Sequence, residues 1–217
     1  MEEKLKVKGI ILDLDGTIVD STEAYLEAAK AAFAPLEQTV NMELAMEIPR
    51  RLEQNLPIGN ITKGTDTQKF LDAYLHAYYE ATPRRTKMIP TTPETLEELS
   101  RKAKLAIMTM RRVPREAVEE ELREFGLTQY IQLVVTGLDN PHPKQSPEAL
   151  IECARELGLQ TSECAIVGDS VVDIRIGRSV GAKTVAVLSG IFTDAELRKE
   201  RPDLILKNIS ELPNFLE

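Results

Sequence analysis

A series of short, almost wholly apolar runs, separated by helical patterns, constrains this chain more than any other feature. They are VKGIILDLD near the start, KLAIM at 104–108, IQLVV at 131–135, CAIVG at 164–168 and KTVAVL at 183–188, with a weaker sixth at 203–206. A run without polar alternation reads as a strand buried on both faces, which requires a parallel sheet covered by helices on each side. Between the runs, PREAVEEELREFG opens at Pro114 and stops at Gly126, and SPEALIECARELG repeats that grammar; proline near a helix start and glycine past its end are the expected punctuation. Strands alternating with helices from residue 93 onward predict an α/β, doubly wound, right-handed parallel sheet. In such a sheet ligands sit beyond the carboxyl ends of the strands.

Residues 18–89 interrupt the alternation. They hold no convincing apolar strand. Asp20 and Glu23 form a capping-box pattern before AYLEAAKAAF, and Thr65 and Gln68 do the same before a stripe of Phe70, Leu71, Tyr74, Leu75 and Tyr78. With Pro83, Pro90 and Pro93 at its far end, this stretch reads as a helical insertion between the first strand and the remainder of the sheet. The expected division is therefore 1–17 with 90–217, and 18–89.

Charge narrows the partners. Thirty-five acidic residues against 27 basic ones give a net charge of −8, a field that disfavours nucleic acid and anionic membrane. An anionic substrate would need local cations or a metal to override it. Cys153 and Cys164 fit no zinc spacing, and His76 and His142 are the only imidazoles in the sequence, so a structural zinc site is not expected. Both cysteines read as buried and reduced. The opening MEEKLKVKGIILDLDG mixes acids and bases and its apolar run stops at Asp13, which matches neither a signal peptide nor a spanning helix. The expected location is cytoplasmic, and oligomeric state is left open.

Four features fall where an α/β sheet converges its side chains. The first run ends in Asp13-Leu14-Asp15-Gly16-Thr17, where two carboxylates two residues apart project to one side of an extended chain and Gly16 permits a sharp exit. The second run ends at Thr109, whose hydroxyl can donate to a phosphoryl oxygen. Lys144 sits in the Pro-bounded loop PHPKQSPEAL, and the fourth run ends in Gly168-Asp169-Ser170, with Asp173 four residues after Asp169. Each alone has an ordinary explanation: a turn, a helix cap, a surface lysine, acids complementing a helix dipole. Together they supply a nucleophile, oxygen ligands for a hard cation, and donors for a phosphoryl group, as phosphoryl transfer to a carboxylate demands.

DLDGTIVDS, Thr109, Lys144 and GDSVVD resemble the four ordered motifs of the haloacid dehalogenase superfamily, in its phosphoglycolate phosphatase-like branch, across the whole chain. The resemblance implies a Rossmann-like core with an inserted helical cap, and a phosphatase acting on a small phosphorylated metabolite. It makes Asp13 the nucleophile forming an aspartyl-phosphate, and Asp15 the acid and base. It gives Mg²⁺ to Asp13, the Asp15 carbonyl and Asp169, with Asp173 in support. Thr109 and Lys144 would bind the phosphoryl group. Met110 and Gln145 depart from the residues the family commonly has beside its second and third motifs. Arg111 and Arg112 read either as a solvated basic pair or, for Arg111, as a receptor for a second anionic group on the substrate. Arg50, Arg51 and Lys63 are the candidate specificity residues of the insertion. A sugar-phosphate mutase would use the same core residues. A phospho-accepting signalling domain would need neither Asp15 nor the insertion, and a non-catalytic binding protein is the remaining alternative.

Overall fold

The computed structural model of the chain describes residues 4–62, 65–138 and 146–217. Its main sheet has six parallel strands: β1 (Gly9–Leu12), β4 (Lys104–Met108), β5 (Leu133–Val135), β6 (Cys164–Gly168), β7 (Lys183–Val187) and β8 (Leu204–Leu206). Their order is β5-β4-β1-β6-β7-β8, so the first strand lies at the centre. Leu12 stands opposite Ile107 on one side and Val167 on the other. Two residues each, β2 (Val19–Asp20) and β3 (Lys87–Met88) form a separate two-stranded sheet. Both fall inside the stretch read as having no strand, because a two-residue strand leaves no periodic signal.

The apolar runs have the two-sided burial that their composition demands. Ile10 and Leu12 join one core cluster and Ile11 the other; Leu105 and Ile107 likewise part from Ala106 and Met108. Helices cover both faces. On one side α4 (Thr92–Ser100) contributes Leu96 and Leu99, and α5 (Arg115–Glu124) contributes Val118 and Leu122. On the other, α6 (Pro147–Glu156), α7 (Val171–Ser179) and α8 (Asp194–Lys199) contribute Leu150, Ile174 and Leu197. Helix α5 begins just after Pro114, and Gly126 follows it at φ +70°. Ser146 caps α6 through the Glu148 N–H.

The chain divides into two compact units, 1–19 with 88–217, and 20–87. The second is helical: α1 (Thr22–Phe33), α2 (Met42–Glu53) and α3 (Thr67–Arg85). Tyr25 stacks on Tyr78 with ring centroids 5.2 Å apart, and Phe33 meets Phe70 edge-on at 4.8 Å. Phe70, Tyr74 and Tyr78 of the expected stripe are buried, whereas Leu71 and Leu75 are half-exposed. Both expected helix starts move by one residue. The N-cap of α1 is Ser21, with Asp20 accepting from the Thr22 N–H, and that of α3 is Asp66, which accepts from Gln68 and Lys69. Pro83 lies within the last turn of α3 rather than beyond it.

Candidate active site

At the carboxyl end of β1 the chain turns sharply. The amides of Thr17, Ile18 and Val19 all point to the Leu14 carbonyl, and Gly16 adopts φ +78°, a conformation that costs glycine nothing and an L side chain one to two kcal/mol, roughly. Asp13, 5% exposed, is held in line with the sheet by donation of its N–H to the Val167 carbonyl. Asp169 follows β6 directly, and Asp173 occupies the first turn of α7. One carboxylate oxygen each from Asp13, Asp169 and Asp173 lie within 4.8 Å of one another, all buried. Three anions gathered out of water repel strongly unless a cation joins them. Hard oxygen donors without nitrogen or sulfur are the donor set of Mg²⁺ or Ca²⁺.

Glycines and backbone amides fix these acids. A Cβ on Gly190 would come within 1.8 Å of Asp169 Oδ2, and one on Gly168 within 1.9 Å of Asp173 Oδ2. The Ile191 N–H donates to Asp169 Oδ2 at 2.8 Å, and Ser189 Oγ donates to the Gly16 carbonyl at 2.7 Å. Segment 189–191, entering from the end of β7, therefore supports both the turn after β1 and Asp169 after β6. Nothing in the motif reading pointed to it; its only sequence signal is a Ser-Gly pair directly after an apolar run. Asp173 also completes a capping box with Ser170, accepting from the Ser170 N–H at 3.3 Å.

Thr109 is buried one residue past β4, with its N–H donating to the Val135 carbonyl and its hydroxyl accepting from the Arg111 N–H at 3.2 Å. Lys144 and Lys63 lie outside the described residues. Arg50 and Arg51 belong to α2, where Arg51 pairs with Glu47 at 2.7 Å and donates to the Pro57 carbonyl at 2.9 Å.

The sequence reading has Arg111 either solvated or facing a second anionic group of the substrate; the structure puts it elsewhere. Its side chain is 5% exposed and forks onto Asp15, with Nε to Oδ2 at 2.8 Å and Nη2 to Oδ1 at 2.6 Å, while Nη1 reaches Glu121 Oε2 at 2.5 Å. Burial pushes the Glu121 carboxyl above its ordinary pKa, and the Arg111 charge opposes that rise. Arg111 thus meets two carboxylates of the protein. Its sequence neighbourhood, beside Arg112 and a helix start, carried no sign of a partner 96 residues away or of one ten residues on.

The geometry can be set beside known proteins. The family model for haloacid dehalogenase-like hydrolases matches residues 10–187. A phosphoglycolate phosphatase of Aquifex aeolicus is 29% identical over 217 residues, covering 96% of both chains, and a pyrophosphatase PpaX of Bacillus mycoides matches to the same extent. Among solved structures, a haloacid dehalogenase-like hydrolase of Streptococcus pneumoniae superimposes with a TM-score of 0.82 at 19% identity, covering 97% of this chain and 98% of that one. A phosphoglycolate phosphatase-like protein of Haemophilus somnus does so at 0.76 and 21%, covering 97% and 98%. These likenesses carry the fold, and the matched family model spans Asp13, Asp169 and Asp173. The chain belongs to the haloacid dehalogenase-like hydrolase family.

Proposed function

We propose that the protein is a Mg²⁺-dependent phosphatase that hydrolyses a small phosphorylated metabolite through an aspartyl-phosphate on Asp13. The observation that carries this reading is the buried convergence of Asp13, Asp169 and Asp173 at the ends of two adjacent central strands. Asp13, the Asp15 carbonyl and Asp169, with Asp173 in support, are the groups for the metal. Bound there, Mg²⁺ would offset the repulsion between a carboxylate nucleophile and a phosphate dianion.

The protein's own residues account for the remaining steps. Asp13 attacks phosphorus as the bond to the leaving oxygen breaks, and Asp15 delivers a proton to that oxygen. Water then attacks the phosphorus, Asp15 takes its proton, and inorganic phosphate departs with Asp13 restored. The Thr109 hydroxyl and the Lys144 ammonium hold the phosphoryl oxygens during both steps. The unit 20–87 serves as a cap that selects the substrate, with Arg50, Arg51 and Lys63 as its candidate contacts.

The test is phosphate release from a panel of phosphorylated metabolites, with Mg²⁺ and with EDTA. Because relatives bear the names phosphoglycolate phosphatase and pyrophosphatase, the panel begins with phosphoglycolate and pyrophosphate. The expected result is release from at least one member with Mg²⁺, abolished by EDTA. Turnover undiminished in EDTA would overturn the metal assignment, and no release from any member would overturn the phosphatase.

A further inference from the structure

We propose that Arg111 is a positioning residue for Asp15, held for that task by Glu121. Three elements converge on it: the turn after β1 brings Asp15, the end of β4 brings Arg111, and the buried face of α5 brings Glu121. Both ends of the arginine are fixed. Its backbone N–H donates to Thr109 Oγ1, and its carbonyl accepts from the Gly137 N–H at 2.9 Å. A Cβ on Gly137 would come within 2.7 Å of the Met110 carbonyl, so that strand end packs directly on the segment carrying Arg111. At the far end the guanidinium forks over both oxygens of Asp15, at 2.6 and 2.8 Å, and its remaining terminal nitrogen goes to Glu121.

A planar fork bonded to both oxygens fixes the rotation of a carboxylate as a single ammonium cannot. The carboxylate is thereby presented in one orientation. Glu121 holds the remaining terminal nitrogen of the guanidinium, so the fork itself is fixed from its far side. Glu121 Oε1 is buried without a hydrogen-bond partner among the described residues, an arrangement that leaves Arg111 as the group holding this carboxylate in place.

The inference rests on Asp15 acting as acid and base, so Asp15→Asn is measured beside it. Steady-state kcat and KM are determined with p-nitrophenyl phosphate, whose leaving group departs without a proton, and with a simple alkyl phosphate, whose leaving group needs one. Arg111→Ala is expected to lower kcat on the alkyl ester by about a hundredfold, the usual scale for a misaligned reacting group, with a smaller loss on the aryl ester and KM within a few fold. Arg111→Lys, which keeps the charge and loses the fork, should fall between wild type and Arg111→Ala. The double variant Asp15→Asn/Arg111→Lys should be no slower than Asp15→Asn alone, because Arg111 acts through Asp15.

Wild-type kcat in Arg111→Lys, or losses that multiply in the double variant, would overturn the positioning role. Equal losses on both esters accompanied by a lower melting temperature would do the same, in favour of a merely structural part. If Arg111→Ala does not fold, Arg111→Lys and the double variant still decide. Near-normal turnover in Asp15→Asn would instead defeat the acid and base reading itself.

Discussion

Gly190→Ala tests the architecture of the acid cluster most sharply, because its backbone suits an alanine while the space does not. Gly190 is not among the glycines with positive φ. A Cβ there would lie 1.8 Å from Asp169 Oδ2, 2.1 Å from its Cγ and 2.4 Å from its Cβ. Ordinary carbon contacts begin near 3.5 Å, so relief demands a displacement on the order of 1.5 Å. Asp169 is 1% exposed and bonded to the N–H of the next residue, Ile191; carboxylate and loop cannot separate without losing that bond. Overpacking of this kind costs about 1–3 kcal/mol, a melting decrease of roughly 2–12 °C for a chain of this size. Activity should suffer more, since misplacing a reacting constellation by 1 Å costs about a hundredfold. Gly181→Ala is the comparison: its φ is +74° and nothing lies within 4 Å of the added carbon. It should lose a similar amount of stability, about 1–2 kcal/mol of left-handed strain, and keep its kcat. Phosphate release is titrated against Mg²⁺ for both, beside thermal melts. Wild-type kcat and half-saturating Mg²⁺ in Gly190→Ala would refute the reasoning, as would equal loss of activity in Gly181→Ala.

Asp13→Asn should abolish turnover while leaving the melt nearly unchanged, since an amide is a poor nucleophile of almost the same shape; single-turnover phosphate release checks it, and full activity would remove the covalent route. Ca²⁺ should inhibit the Mg²⁺-activated enzyme, because its looser coordination sets nucleophile and phosphorus at the wrong separation; stimulation by Ca²⁺ would count against the assignment. Burial pushes the Cys153 thiol up to about 12 and the Cys164 thiol up to about 11. Both therefore stay protonated in the native protein until the pH approaches those values, and a thiol-specific reagent at pH 8 should modify neither, yet both after unfolding. Rapid native-state labelling would show that these side chains are not enclosed as described.

What was legible in the sequence was local chemistry repeated on a regular pattern. The run GIIL announced a strand buried on both faces because none of its residues suits water, and Ile10 and Ile11 indeed enter opposite core clusters. Asp13 and Asp169 were legible because each stands at the end of such a run. The partners of Arg111 were not, since Asp15 lies 96 positions away and Glu121 ten, and a charged side chain carries no mark of whether it will be solvated or buried. Segment 189–191 escaped for a related reason: it contributes an amide, a hydroxyl and the absence of a side chain, and only the tertiary fold gives these a direction. The helix starts moved by one residue because adjacent residues can serve the same first-turn amides: Asp20 takes the Thr22 N–H although Ser21 is the N-cap, and Asp66 rather than Thr65 takes those of Gln68 and Lys69.

The central position of β1 has a consequence for how the chain is made. Gly9 must find Lys104 on one side and Cys164 on the other, yet during synthesis it leaves the ribosome long before either. Residues 20–87 emerge in between, and within that unit Tyr78 stacks on Tyr25 and Phe70 meets Phe33. Until residues 104–168 have followed, the first strand waits with its ladder groups open. Such delayed parallel pairing is slow and exposes apolar strand to other chains. Lysines at positions 4, 6 and 8, immediately before the GIIL run, place charge beside that waiting segment, the usual protection of an apolar strand against association before its neighbours arrive.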